Sequence, residues 1–120
     1  MTGPILTVVD DLIFLSKIQQ TAQQLGVSVK VIDPAKVEEH VKDFRVDSII
    51  LDLNHRSGKA VDVARAIKDN PATRHVQVVA FLSHLQTELA AAARAAGCDM
   101  VLARSTFTQQ LPQLLLKLAG

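Results

Sequence analysis

The chain has 120 residues, of which 48% are hydrophobic and 21% charged, and its formal net charge is +1. These values predict one globular domain, residues 1–120, with an ordinary soluble composition. Charges of one sign do not cluster and aromatic residues make up 3% of the chain, which argues against binding to nucleic acid or to an anionic membrane surface.

The same bulk features favour a cytoplasmic protein. No apolar run approaches the ~20 residues that a membrane-spanning helix needs. The single cysteine, Cys98, cannot form an internal disulfide, which suits a reducing compartment. The start of the chain leads directly into a strand pattern and lacks the layout of a signal peptide.

The first two strand–helix units are predicted before residue 47. Strand one is predicted at Ile5–Asp10 and strand two at Val27–Ile32. Between them, apolar residues recur at helical spacing until Gly26, a residue type that commonly ends helices. Asp33 followed by Pro34 predicts a second helix start, because Asp caps helices and Pro favours the first helical position. The predicted apolar faces are Leu15, Ile18, Ala22 and Leu25, and then Val37, Val41 and Phe44.

Three further units follow in the second part of the chain. Strand three, Asp47–Leu53, is an uninterrupted apolar run of the sort buried on both faces. Strands four and five are predicted at Val76–Leu82 and Met100–Ala103, while Asn70-Pro71 and Gly97 end the helices before them. The three predicted helix faces are Ala60, Val63, Ala64 and Ile67; Leu89, Ala92, Ala93 and Ala96; and Leu111, Leu114, Leu115 and Leu118.

This alternation predicts an α/β fold with a doubly wound parallel sheet, because parallel strands need intervening crossover helices. Ligands of such sheets bind at the carboxyl ends of the strands. Polar residues follow four of the apolar runs at that edge: Asp10 and Asp11, Asp52 and Asn54, Ser83, and Arg104. Three carboxylates, a hydroxyl and a guanidinium fit a divalent cation together with a phosphoryl group.

Each of these residues also has a purely structural explanation. Asp11 could simply cap the first helix. Ser83-His84-Leu85-Gln86 matches a capping box, and Arg104 alone would most often be a surface arginine. Carboxylates at two strand ends favour the functional interpretation, because packing requires neither of them.

Other chemistries have weaker support. His55 and His84 border the same edge and could join the carboxylates in a transition-metal site, but their spacing matches no metal motif. The stretch Asp52–Gly58 approaches the cobalamin pattern D-x-H-x-x-G with its histidine one position late. No glycine-rich nucleotide loop follows strand one, and we expect the chain not to be an enzyme.

Taken together, these residues resemble the receiver domain of bacterial response regulators over essentially the whole chain. The resemblance implies a flavodoxin-like receiver fold with five helices, strand order 2-1-3-4-5 and no attached output domain. The matching segments are Val8-Val9-Asp10-Asp11, Ile49-Ile50-Leu51-Asp52-Leu53-Asn54, Val79-Ala80-Phe81-Leu82-Ser83, and Gly97 through Arg104.

The resemblance also implies roles in phosphorelay signal transduction. Asp52 would accept a phosphoryl group from a histidine kinase or a phosphotransfer protein and pass the signal to a downstream protein target. Asp11 would bind Mg²⁺ directly and Asp10 mainly through water, while Asp52 and the backbone carbonyl of Asn54 complete the metal site. Ser83 stands where receivers carry their switch Thr or Ser.

The chain also departs from the receiver pattern. Arg104 stands where receivers normally carry lysine, and Ser105 where they carry proline. Without that proline we expect a trans peptide bond, because a cis bond would cost ~2.5–4 kcal/mol. Val101 occupies the place of the switch aromatic, and the loop Asn54–Gly58 lacks the usual Pro and is about two residues short. These departures favour the alternative of a pseudo-receiver, an unphosphorylated protein–protein interaction module.

Helices four and five present few charges to solvent. Such low-charge surfaces favour association. The receiver resemblance points to the same surface, built from helix four, strand five and helix five. We therefore expect a weak homodimer or a target contact there, independent of phosphorylation because Val101 offers no aromatic switch.

Overall fold

The computed structural model describes residues 3–43, 45–83 and 86–119. Five parallel strands form one sheet in the order β2-β1-β3-β4-β5, which confirms the predicted fold class and strand order. The strands are β1 Ile5–Val8, β2 Val29–Val31, β3 Ser48–Asp52, β4 Gln77–Leu82 and β5 Met100–Ala103. The helices are α1 Leu12–Leu25, α2 Val37–Asp43, α3 Ala60–Asp69, α4 Thr87–Ala95 and α5 Arg104–Ala119.

The sheet separates two apolar layers. Helices α1 and α5 pack on one face around Ile18, Phe81 and Leu115. Helices α2, α3 and α4 pack on the other around Val37 and Ile67. All residues of β3 are buried, as predicted for a strand covered on both faces.

Of the five predicted helix faces, those of α3 and α5 are buried in full, while α1 buries Ile18 and Ala22 but leaves Leu15 and Leu25 partly exposed. All four predicted positions of α3 are buried, as are all four of α5. Of the stripe predicted for α4, Ala93 and Ala96 are buried, while Leu89 and Ala92 stay partly exposed. Helix α4 is therefore less deeply embedded than α3 and α5. Phe44, predicted on the face of the second helix, lies outside the described residues.

Element boundaries differ from the sequence pattern by a few residues. Strand β1 ends at Val8, although Val9 is still buried, because burial continues where the hydrogen-bonded ladder has stopped. The helix expected at Asp33 begins as a 3-10 turn, Pro34–Lys36, with Asp33 as its cap. Gly26 ends α1 in the left-handed conformation, as its position predicted.

Hydrogen bonds at the amino edge of the sheet join elements that are distant in sequence. The Lys68 Nζ donates to the carbonyl oxygens of Arg74 and Val76, at 3.0 and 2.7 Å, and lies 2.8 Å from the Asp99 carboxylate. The Ser48 hydroxyl at the start of β3 donates to the carbonyl of Leu118 near the end of α5, at 3.2 Å. Among the described segments, no helix is both long and apolar enough to cross a bilayer.

Candidate functional site

A pocket of about 480 Å³ lies at the carboxyl edge of the sheet. Its lining brings together five of the six residues predicted from the sequence: Asp10, Asp11, Asp52, Asn54 and Arg104. Leu12, Ile13 and Arg56 complete the lining. The sixth predicted residue, Ser83, lines a neighbouring pocket of about 230 Å³.

Asp52 ends the central strand β3 and is 1% exposed. Its Oδ1 accepts the backbone N–H of Asn54 at 2.9 Å. Its Oδ2 lies 3.6 Å from Nη2 of Arg104, which is an ion-pair distance but too long for a hydrogen bond. Burial raises the pKa of the Asp52 carboxyl, and the Asn54 N–H and the Arg104 charge only partly oppose that effect.

Two aromatic rings lie beside the Arg104 guanidinium. The guanidinium carbon lies 5.2 Å from the ring centroid of Phe14 and 5.9 Å from that of Phe81. The Nε atom is buried and has no hydrogen-bond partner within the described part of the chain. We call Phe14 and Phe81 the aromatic seat of Arg104.

The aromatic seat belongs to a stack of three rings. Phe14 and Phe81 lie 4.6 Å apart between centroids, and Phe107 lies 4.5 Å from Phe81. These rings come from α1, β4 and α5, so no local sequence pattern could reveal that they meet. The sequence did not predict this stack. Its only indication was Phe81, the one aromatic residue on a predicted strand, which lies close to the strand end that precedes Ser83.

Asp11 caps helix α1, which is the structural alternative that the sequence left open for this residue. Its Oδ1 accepts the backbone N–H groups of Ile13 and Phe14 at 3.0 and 3.1 Å and so caps α1. The same residue lines the pocket, so capping and a role at the site are compatible.

Asp10 has a partner that the sequence reasoning missed. The Arg56 backbone N–H donates to its Oδ2 at 3.1 Å, and the Arg56 Nε lies 3.5 Å from the same oxygen. The Arg56 side chain is 90% exposed, so this ion pair is weakened by solvent screening. The sequence indicated only that the loop carrying Arg56, Asn54–Gly58, departs from the receiver pattern.

Asn54 links the two pockets. Its Oδ1 accepts the backbone N–H of Ser83 at 3.2 Å, and its Nδ2 donates to Oε1 of Gln86 at 2.6 Å. Ser83 is not the cap that the S-x-x-Q pattern suggested, because Gln86 holds the N-cap position of α4 and its side chain makes no capping bond. His84 and Leu85 lie outside the described residues.

The predicted departures near β5 are visible in the backbone and in the packing. Every described peptide bond is trans, as expected for Ser105 without a proline. Helix α5 begins at Arg104 directly after β5, with no intervening loop. Val101 is partly buried and packs on the core layer beneath α3 and α4, where it also lines the smaller pocket.

The donor chemistry of the larger pocket fits a hard divalent cation, since carboxylate and carbonyl oxygens are its preferred ligands. In the segments that the structure describes, however, no three acidic, histidine or cysteine side chains are grouped closely enough to hold an ion. The carboxylates turn instead to internal partners: Asp11 to the α1 backbone, Asp10 to Arg56 and Asp52 to Arg104. The magnesium assignment stays a prediction. His55 is not among the residues that line this pocket and His84 lies outside the described residues, so the transition-metal alternative stays an untested hypothesis.

No protein-family model matches the sequence, and no curated protein matches it. Solved structures do match. The signal receiver domain of a response regulator from Bermanella marisrubri is 19% identical, with full coverage of both chains and a TM-score of 0.82. The phosphorylated cyanobacterial phytochrome response regulator RcpA is 19% identical over 96% of this chain and 89% of its own, with a TM-score of 0.78. The Mn²⁺-bound form of response regulator Rcp1 is 18% identical over 92% and 89%, with a TM-score of 0.75. This chain therefore has the fold of a response-regulator receiver domain.

Proposed function

We propose that the chain is a phosphorelay receiver that accepts a phosphoryl group on Asp52. The observation that carries this proposal is the state of the Asp52 carboxylate. One of its oxygens is held by the Asn54 N–H, and the other faces an open pocket and a guanidinium without a hydrogen bond. The phosphorylated state of RcpA, which has the same fold, supports the choice of chemistry.

The proposed step uses the free oxygen as the nucleophile. Oδ2 of Asp52 attacks the phosphorus of a phosphohistidine on a histidine kinase or a phosphotransfer protein. The new O–P bond makes an acyl phosphate, the N–P bond breaks, and its electron pair returns to the imidazole, which takes up a proton. The Asn54 N–H keeps Oδ1 fixed, and Arg104 offers positive charge to the phosphoryl oxygens. Ser83 is proposed as the hydroxyl that contacts the phosphoryl group from the neighbouring pocket.

We further propose that Asp10, Asp11, Asp52 and the backbone carbonyl of Asn54 hold Mg²⁺. Rcp1, which shares the fold, has a Mn²⁺-bound form, and this supports the choice of a divalent cation. When bound, the cation supplies positive charge that offsets the repulsion among the carboxylates and the phosphoryl oxygens. Asp10 must exchange its contact with Arg56 for that role.

The rim of the pocket supports a protein as the phosphoryl donor. Leu12 and Ile13 line the pocket and are 79% and 86% exposed. Large apolar side chains beside a polar pocket favour contact with a protein surface. The receiver is proposed to signal in the cytoplasm by binding a target, and not to act as an enzyme on a separate substrate.

The decisive test is incubation with acetyl phosphate and Mg²⁺, followed by intact mass measurement. We expect one phosphoryl adduct on the wild type and none on Asp52→Asn. The rate should fall as the pH is lowered through the raised pKa of Asp52, because only the ionised carboxylate attacks. Asp62→Asn, which removes an exposed carboxylate on α3, is the matched control and should still be modified. Absence of an adduct at saturating donor would instead support the pseudo-receiver alternative, which the departures at Val101, Arg104 and Ser105 favour.

A further inference from the structure

The seating of Arg104 has a consequence for the chemistry of the pocket. An arginine that points at a carboxylate usually forms one or two hydrogen bonds with it. Here Nη2 stops 3.6 Å from Asp52, and the buried Nε has no partner within the residues that the structure describes. Hydrogen bonds therefore do not determine where this guanidinium lies.

The rings of Phe14 and Phe81 lie close to the guanidinium. Both centroids are within 6 Å of the guanidinium carbon, the range of cation–π attraction. A guanidinium can contact a ring and still direct its N–H groups elsewhere, whereas the ammonium of lysine is a compact and strongly hydrated charge. The aromatic seat therefore suits an arginine better than a lysine.

We propose that Phe14 and Phe81 are positioning residues for phosphoryl recognition, because their rings hold Arg104 beside Asp52 while its terminal N–H groups make no hydrogen bond within the described residues. This inference rests on the proposed function and deepens it. In this chain, an arginine at position 104 then supports phosphoryl transfer to Asp52 better than a lysine would, because only the arginine fits the aromatic seat. Phe14 comes from α1 and Phe81 from β4, so the position of Arg104 depends on two elements besides its own.

The test is a four-protein cycle of wild type, Arg104→Lys, Phe14→Leu and the double variant. The rate of adduct formation with acetyl phosphate and Mg²⁺ is measured for each. Arg104 is 40% exposed, so the low end of the cation–π range applies, and we expect Arg104→Lys to slow the wild type about two- to fivefold. In the Phe14→Leu background the same exchange should change the rate little. An equal effect of the exchange in both backgrounds would overturn the proposal.

A matched control removes a ring of the stack that is not part of the seat. Phe107 stacks on Phe81 and Phe14 but is not within cation–π range of Arg104. Phe107→Leu should destabilise the core, yet Arg104→Lys should slow the reaction by the same factor in this background as in the wild type. Loss of that factor in the Phe107→Leu background as well would show general loosening of the pocket and contradict a specific role for Phe14.

The same four proteins give a readout without a phosphodonor. In urea unfolding, the Phe14 and Arg104 changes should be non-additive, with a coupling of about two- to fivefold in the unfolding equilibrium constant. Coupling without any adduct would refute the proposed function while upholding the seat. Additivity in urea would refute the seat even if Asp52 is phosphorylated.

Discussion

At the scale of single residues, each carboxylate of the pocket has a partner within the chain. Asp10 meets Arg56, Asp52 meets Arg104, and Asp11 meets the positive end of α1. Of the two ion pairs, only the second contains a fully buried carboxylate. The burial of the Asp52 carboxylate therefore affects the free energy of unfolding more than its attraction to Arg104 does.

The sign of that effect can be tested with Asp52→Asn. Burial raises the pKa of Asp52 above 3.8, so the ionised form opposes folding at neutral pH. We expect the Asn variant to unfold at higher urea than the wild type at pH 7. The difference should shrink as the pH falls through the raised pKa, since the wild-type carboxyl then becomes neutral too.

Asp62→Asn, at an exposed position on α3, serves as the control and should change stability little. A wild type more stable than Asp52→Asn at pH 7 would show that the attraction of Arg104 and the Asn54 N–H exceeds the cost of burial.

The sequence was enough to predict which site residues lie together at the carboxyl edge of the sheet. It did not predict which hydrogen bonds and ion pairs they form. The carboxyl-edge rule was enough to place Asp10, Asp52 and Arg104 around one pocket, because parallel topology fixes where strands end. It could not show that Arg56 contacts Asp10, because that contact depends on the path of an irregular loop. The rule was also too coarse to separate the pocket of Ser83 from that of Asp52, because Ser83 lies beyond the end of β4 at Leu82, whereas Asp52 is the last residue of β3.

At the scale of elements, β5 is an edge strand flanked by weakly charged helices. Its four residues are all partly exposed, and its outer side is not paired within the sheet. Hydrophobic periodicity predicted the burial of α3 and α5 correctly. It overstated the burial of α1, where Leu15 and Leu25 stay partly exposed. It also overstated the burial of α4, because alanines match a helical stripe at almost any rotation and mark no definite face.

We predict weak self-association through α4, β5 and α5. Ala91 on α4 and Gln110 on α5 are exposed, and the exposed Leu116 adds apolar surface on α5. Ala91→Glu or Gln110→Glu should raise the dissociation constant about tenfold or more, because like charges would face each other across a symmetric contact. Sedimentation velocity over a concentration series measures this.

Gln19→Glu, an equal change of charge at an exposed position on α1, is the control and should leave the association unchanged. A wild type that stays monomeric at high concentration, or a control that weakens association as strongly, would argue against this surface.

At the scale of the whole molecule, a ligand that binds only the folded pocket stabilises the entire domain. If Mg²⁺ binds as proposed, a concentration of ten times its Kd should add about 1.4 kcal/mol to the free energy of unfolding. That corresponds to a rise of roughly a few degrees in Tm for a domain of this size. Differential scanning calorimetry with and without Mg²⁺ measures the rise.

Asp11→Asn separates the metal role from the capping role. Asparagine caps helices about as well as aspartate, so the variant keeps the start of α1 and loses only the charge. It should lose most of the Mg²⁺-dependent rise. Asp33→Asn makes the same change at the cap of the 3-10 turn and should respond to Mg²⁺ as the wild type does. Equal responses of all three proteins would exclude Asp11 as a ligand.

The hydrogen bond between Ser48 and Leu118 gives α5 two attachments to the same strand. Strand β3 contacts the start of α5 through Asp52 and Arg104, and it contacts the end of α5 through Ser48 and Leu118. A phosphoryl group would change the charge at the first attachment by about one unit and leave the second untouched. With its far end held by Ser48, a helix of about 24 Å would turn a small shift of Arg104 into a rotation against the sheet, unless it bends at Pro112 in its interior.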